Sequence, residues 1–138
     1  RGMYSEAEDY YQALGKPLAG HSRTILYRAQ LDLARGRDEA ARRQLAELIK
    51  TDPMNGPALI LLGEAFLAAE KFPEGAFYLE RALVVPGSKA DALVALARMH
   101  VARGRLKQAR DCLRQAQEVH TRSNIATYLE QVEAALRR

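Results

Sequence analysis

One interval organises this chain. Ala41, Gly75 and Ala109 are separated by equal steps (75 − 41 = 34 and 109 − 75 = 34), and the same step links Leu45, Leu79 and Leu113, then Leu48, Ala82 and Ala116. Gly36 and Gly104 lie two such steps apart, with Glu70 midway between them. Self-similarity at a fixed period of about 20–50 residues marks a stacked architecture, in which each unit carries an apolar face that only its neighbours can cover.

The stretch Pro57 to Pro86 shows what one unit contains. Leu59, Leu62, Gly63 and Phe66 fall on one helical stripe by the i, i+3, i+4, i+7 rule, and Ala76, Leu79, Ala82 and Leu83 fall on a second. Glu70 to Glu74 is the turn expected between the two helices. A small residue early in the second helix, with a bulky one four residues on, is what a close crossing of two helices demands. Gly63 and Gly75 are therefore read as contact points and not as ligand-binding positions. Carried along the chain, the interval divides a single domain, 1–138, into units near 22–55, 56–89 and 90–123. Gly2 to Ala7, followed by Tyr10, Tyr11 and Leu14, reads as the turn and second helix of an earlier half unit over 1–21, so the chain is expected to be a fragment of a longer protein. Over 124–138, Ile125, Tyr128, Leu129, Val132 and Leu136 share one face and Glu130, Gln131 and Glu133 another. That is the polar outer face a capping helix needs, and the first helix of a further unit is the other reading.

These residues resemble the tetratricopeptide repeat (TPR), whose 34-residue unit alternates bulky, small and aromatic residues at fixed places in two antiparallel helices. The middle unit matches with Leu59, Leu62, Gly63, Phe66, Gly75, Leu79 and Ala82, and the third with Leu93, Leu96, Ala97, His100, Ala109, Leu113 and Ala116. Gly75 stands where the family has Ala, and His100 where it has an aromatic ring. The first unit matches in its second helix through Ala41, Leu45, Leu48 and Pro53, but its first helix places Arg28 and Asp32 where apolar residues belong. The resemblance implies an all-α fold, an α-solenoid of stacked antiparallel helix pairs: about three full units, a preceding half unit and a C-terminal capping helix.

Composition agrees with a packed domain, at 48% hydrophobic and 28% charged residues. The longest uninterrupted apolar run, Ala58 to Leu62, is far shorter than the roughly 18 residues of a membrane span. No signal peptide is visible, but a chain starting in mid-repeat says nothing about export, and compartment stays open. The single cysteine, Cys112, excludes an internal disulfide and a cysteine-based metal cluster. A net charge of +4 raises the question of anionic partners. The cations Arg42, Arg43, Arg103, Arg105, Arg110 and Arg114 fall in turns and on second helices. Glu39 with Arg43, Glu118 with Arg122 and Glu133 with Arg137 have the i, i+4 spacing of an ordinary solvated face.

Motifs that would carry chemistry are absent. His21, His100 and His120 lie far apart, without the i, i+4 partner of a zinc pair. Pro86-Gly87-Ser88-Lys89 lacks the upstream glycine and strand of a phosphate loop and reads as an inter-repeat turn. His100 is expected to pack as a flat side chain with one nitrogen hydrogen-bonded. No enzyme activity, cofactor or metal is therefore expected.

What remains is shape. In the TPR family the first helices line a concave groove, and the resemblance carries partner binding onto Leu26, Tyr27, Gln30, Ile60, Leu61, Glu64, Leu67, Val94, Arg98 and Val101. Asp91 and Ala95 fall in the same set. The family members that hold a C-terminal carboxylate need Lys and Asn there, which Leu26, Gln30, Leu61, Asp91 and Ala95 do not supply. The groove is thus expected to take a protein or peptide partner through an amphipathic helix or apolar segment, with Gln30, Glu64 and Arg98 as a polar line setting its register. Two rivals stand beside this reading: a nucleic-acid-binding helical repeat, disfavoured by the charge distribution, and a purely structural solenoid segment whose groove the parent protein fills. Oligomeric state is open.

Overall fold

In the computed structural model, residues 18–138 are described, with side chains from Ser22 onward. Seven helices follow one another among them: α1 Leu18–Ala34, α2 Asp38–Thr51, α3 Gly56–Ala68, α4 Phe72–Ala82, α5 Lys89–Ala102, α6 Leu106–Val119 and α7 Ser123–Leu136. No strand occurs among the described residues. The stretch Gly2 to Leu14, read as part of an earlier unit, lies outside them.

The turns between first and second helices repeat atom for atom. Arg37, Lys71 and Arg105 donate their backbone N–H groups to the carbonyls of Asp32, Phe66 and His100 at 2.7, 2.9 and 2.7 Å. Gly36, Glu70 and Gly104 donate to Leu33, Leu67 and Val101. This paired closure ends a helix only if the residue at its pivot is left-handed. The pivots have φ of +77° at Gly36, +59° at Glu70 and +73° at Gly104. The recurrence of these positions in the sequence thus has a conformational cause, and Glu70 occupies a place that favours glycine. The turn expected over Glu70 to Glu74 is shorter than that. Phe72 to Glu74 already belong to α4, because Pro73 in its first turn lacks only an N–H that the helix start would leave unpaired. The segment over Pro86 to Ser88 is a turn, with Gly87 at φ +83°.

Packing follows the small residues. α1 lies against α2, α3 against α4, α5 against α6, and α7 against α6. Ala29 and Ala41 are fully buried between α1 and α2, and Ala97 and Ala109 between α5 and α6. Between α3 and α4 the crossing is closer still. A Cβ added to Gly75 would stand 3.0 Å from the carbonyl oxygen of Gly63, and one added to Gly63 would stand 3.1 Å from that of Gly75. Leu45, Leu62, Leu79 and Leu113 fill the spaces beside the crossings, each at most 1% exposed, and Leu96 is 6% exposed. Leu83 packs against all three clusters of buried side chains, so the core runs without interruption along the stack.

The facing of α1 resolves at Ala29. It is buried at the place occupied by Gly63 in α3 and Ala97 in α5, while Arg28 is exposed. Asp32 is accommodated because the residue facing it matches its polarity: Gln44 Nε2 donates to Asp32 Oδ2 at 2.7 Å. One repeat on, the same two places hold Phe66 and Tyr78, stacked at 5.7 Å with planes 3° apart.

Candidate functional site: the groove of the first helices

Contacts among first helices join α1 to α3 and α3 to α5, whereas second helices of successive pairs make no comparable contact. The stack therefore curves with its first helices inside, and their free faces line a groove of about 390 Å³. Its apolar lining comes from Leu26, Pro57, Ile60, Leu61 and Val94, one or more from each of α1, α3 and α5. Gln30, Glu64, Asp91, Arg98, Arg122 and Asn124 supply the polar part.

The charged groups in the groove are matched. Arg98 Nη1 donates to Glu64 Oε2 at 2.6 Å, joining equivalent places on α5 and α3. Arg122 Nη1 donates to Asp91 Oδ1 at 2.8 Å, tying the segment before α7 to the start of α5. Two carboxylates thus face two guanidinium groups, and the lining carries no net charge. The side chains of Glu64 and Asp91 are 33% and 55% exposed, so each pair is worth on the order of 1 kcal/mol or less to the fold. An incoming ion would have to compete with a partner already in place, at a cost no greater than that.

Of the residues anticipated at this surface, Leu26, Gln30, Ile60, Leu61, Glu64, Val94 and Arg98 come together in the groove, and Tyr27, Leu67 and Val101 do not line it. Leu67 instead lies over Gly75, where the missing side chain leaves room for it. Ala95 is fully buried against Leu79, Leu96 and Met99. Arg122 was missed as a groove residue because its i, i+4 spacing to Glu118 suggests a helix pair, yet it faces Asp91. Glu133 likewise binds Arg114 across helices at 2.9 Å and not Arg137. Of the three spacings, only Glu39 and Arg43 meet, at 3.9 Å.

Of the outer-layer arginines, Arg42, Arg43, Arg103, Arg110 and Arg114 have side-chain partners. Arg42 lies over the Phe66 ring at 5.4 Å and Arg103 over Phe72 at 5.1 Å. Arg110 bonds Asp111. No group of His, Cys, Asp and Glu side chains among the described residues could hold a metal ion, and no helix there is long and apolar enough to cross a membrane. Burial and the neighbouring Asp111 raise the Cys112 thiol above its ordinary value, which lowers its nucleophilic fraction. His100 departs from expectation: its Nδ1 is buried without a hydrogen-bond partner. Burial, then the charges of Arg105 and Arg103, hold its pKa below the ordinary value.

No family model and no curated protein matches the sequence. Solved structures do. The chain superposes on the first TPR of Spaghetti (RPAP3) bound to the HSP90 peptide SRMEEVD with a TM-score of 0.71, at 16% identity over 83% of this chain and 91% of that one. The fold is that of a tetratricopeptide solenoid. The TPR arrangement is shared with the Yersinia enterocolitica type III secretion translocator chaperone SycD, at TM-score 0.74 and 16% identity over 91% of this chain and 92% of that one. SycD is also known in complex with a peptide of the translocator YopD. A Thermobaculum terrenum O-GlcNAc transferase shares the fold at 22% identity and TM-score 0.70, over 80% of this chain but 21% of its own. TPR folds thus occur both in peptide-binding domains and as part of a larger enzyme.

Proposed function

We propose that this chain is a non-enzymatic protein-interaction scaffold that docks a segment of a partner protein, apolar or amphipathic, in the groove of its first helices. The observation that carries this reading is the groove itself: Leu26, Ile60, Leu61 and Val94 remain partly exposed together along the first helices α1, α3 and α5. Contiguous exposed apolar surface on a soluble domain marks interaction sites. The RPAP3 and SycD structures, each with a bound peptide, support the broader part of this reading: the same fold binds peptides elsewhere. Nucleic acid is a poor fit, because its backbone needs a stripe of unpaired cations, and the groove has equal numbers of carboxylates and guanidinium groups.

The test is a binding comparison between the wild-type chain and a Leu61→Asp, Val94→Asp double variant. Both side chains are only partly buried, so circular dichroism should report an intact helical fold. The wild-type chain should retain partners from a native lysate that the variant loses. Equal retention by a folded variant would rule the groove out.

A further inference from the structure

We infer that the outer face of α4 is a second interaction surface, on which another copy of this chain docks about a two-fold axis passing beside Phe77.

Among the described residues four large apolar side chains are exposed, and three of them lie around Arg81: Phe77 on α4 at 54%, Met54 in the turn before α3 at 55% and Val84 just beyond α4 at 74%. The Arg81 guanidinium group covers the rings of Phe77 and Tyr78 at 5.8 and 5.9 Å, and its Nη2 donates to the carbonyl of Pro53, next to Met54, at 3.5 Å. This patch belongs to the second helices, so a segment docked among the first helices leaves it uncovered. Apolar side chains grouped in this way on a surface mark a contact.

Charge indicates what covers it. Glu74, Phe77 and Arg81 stand at i, i+3 and i+7 of α4 and so share one face. Neither Glu74 nor Arg81 has an oppositely charged partner among the described residues, whose ion pairs lie elsewhere. A helix complementary to this stripe must present a cation, an apolar residue and a carboxylate in the reverse order. An antiparallel copy of α4 does so. With the two-fold axis midway between positions 74 and 81, beside Phe77 and Tyr78, Glu74 of each chain faces Arg81 of the other, and the two Phe77 rings meet between these pairs. Such an isologous contact makes every interaction twice. Arg81 is already held flat against two rings, so less of its freedom is lost when a carboxylate arrives. Because α4 is only 11 residues long, the shared surface falls at the small end of specific interfaces, and the dimer should be weak and dependent on concentration.

The experiment is sedimentation equilibrium of the intact chain over about a hundred-fold range of concentration, which reads association by mass action. The wild-type mass should rise from that of one chain towards that of two. Phe77→Asp should weaken association at least about ten-fold, because it sets unpaired charges at the centre of the contact, whereas Leu61→Asp, in the groove, should leave it unchanged. Glu74→Arg and Arg81→Glu should each weaken it at least about ten-fold, because each places like charges opposite one another on both sides of the axis. An equimolar mixture of these two variants should recover to within about three-fold of wild type, since every pair across that interface again joins opposite charges. Circular dichroism reports that each variant is folded; should a charge variant not fold, the comparison of Phe77→Asp with Leu61→Asp still decides. A wild-type chain that stays monomeric throughout would overturn the proposal and leave the patch to a different protein. A dimer disrupted by Leu61→Asp but not by Phe77→Asp, or folded charge variants that stay apart when mixed, would overturn it as well.

Discussion

Replacing Gly63 by alanine should destabilise the fold by about 1–2 kcal/mol although alanine is the better helix former. Helix propensity alone favours the change by up to about 1 kcal/mol. Against it, the new methyl would lie 2.7 Å from Leu79 Cγ and 2.8 Å from its Cδ2. Leu79 is fully buried and has nowhere to turn, so the crossing of α3 and α4 must open. Overpacking of this kind costs about 1–3 kcal/mol. Gly75→Ala meets Leu67 at 2.5 Å, but Leu67 is partly exposed and can swing outward, so its loss should be smaller than that of Gly63→Ala. Gly75→Leu cannot be relieved in this way and should lose about 1–3 kcal/mol. Pairing Gly63→Ala with Leu79→Ala should cost less than the sum of the single changes, because the methyl enters space the leucine vacates, with a coupling of at least about 0.5 kcal/mol. Urea denaturation followed by circular dichroism, with an unchanged slope, measures all of these. A Gly63→Ala chain as stable as wild type, or additive energies in the double variant, would refute the close crossing.

Three further predictions follow from the repeat geometry. Leu62→Ala, Leu79→Ala and Leu113→Ala should each lose about 2–5 kcal/mol by the same denaturation assay, and losses below about 0.5 kcal/mol at two of them would mean that the packing register is wrong. Glu70→Gly should stabilise by about 0.5–1 kcal/mol, since it relieves a left-handed non-glycine residue, while Gly104→Glu should do the reverse; the melting temperature reports both. His100 has a folded pKa below its unfolded value, so the unfolded chain binds the extra proton: stability should be full above about pH 6.5 and fall on acidification below it. His100→Phe should remove that pH dependence and, by eliminating the unpaired Nδ1, raise stability near neutral pH by about 1 kcal/mol or more.

The solenoid was legible because close helix crossings leave a covalent trace. Only small residues permit them, so Ala41, Gly75 and Ala109 mark the period, and Leu45, Leu79 and Leu113 mark what fills the gaps. The oddities of the first unit were harder to read. Asp32 looks misplaced until Gln44 is seen facing it, and that pairing lies between helices, beyond the reach of periodicity. The groove was legible to the extent that its residues recur at the repeat interval, which is why Leu26, Ile60 and Val94 were found together with Glu64 and Arg98. Arg122 and Asp91 escaped as a pair because local spacing offers Arg122 a nearer carboxylate. Leu67 lies apart from the groove lining for a reason specific to this chain: the absent side chain of Gly75 leaves it room to pack there.

Site-directed photo-crosslinking tests the central claim most directly, because it reports contact whether or not the partner is known. A photoreactive phenylalanine analogue at Val94 should form a covalent adduct with a partner in native lysate, and the adduct should vanish when Leu61→Asp is added. The same analogue at exposed Glu47, on the second helix α2, should give none. Adducts from Glu47 but not Val94 would place the interaction on the outer layer and contradict the assignment of the groove.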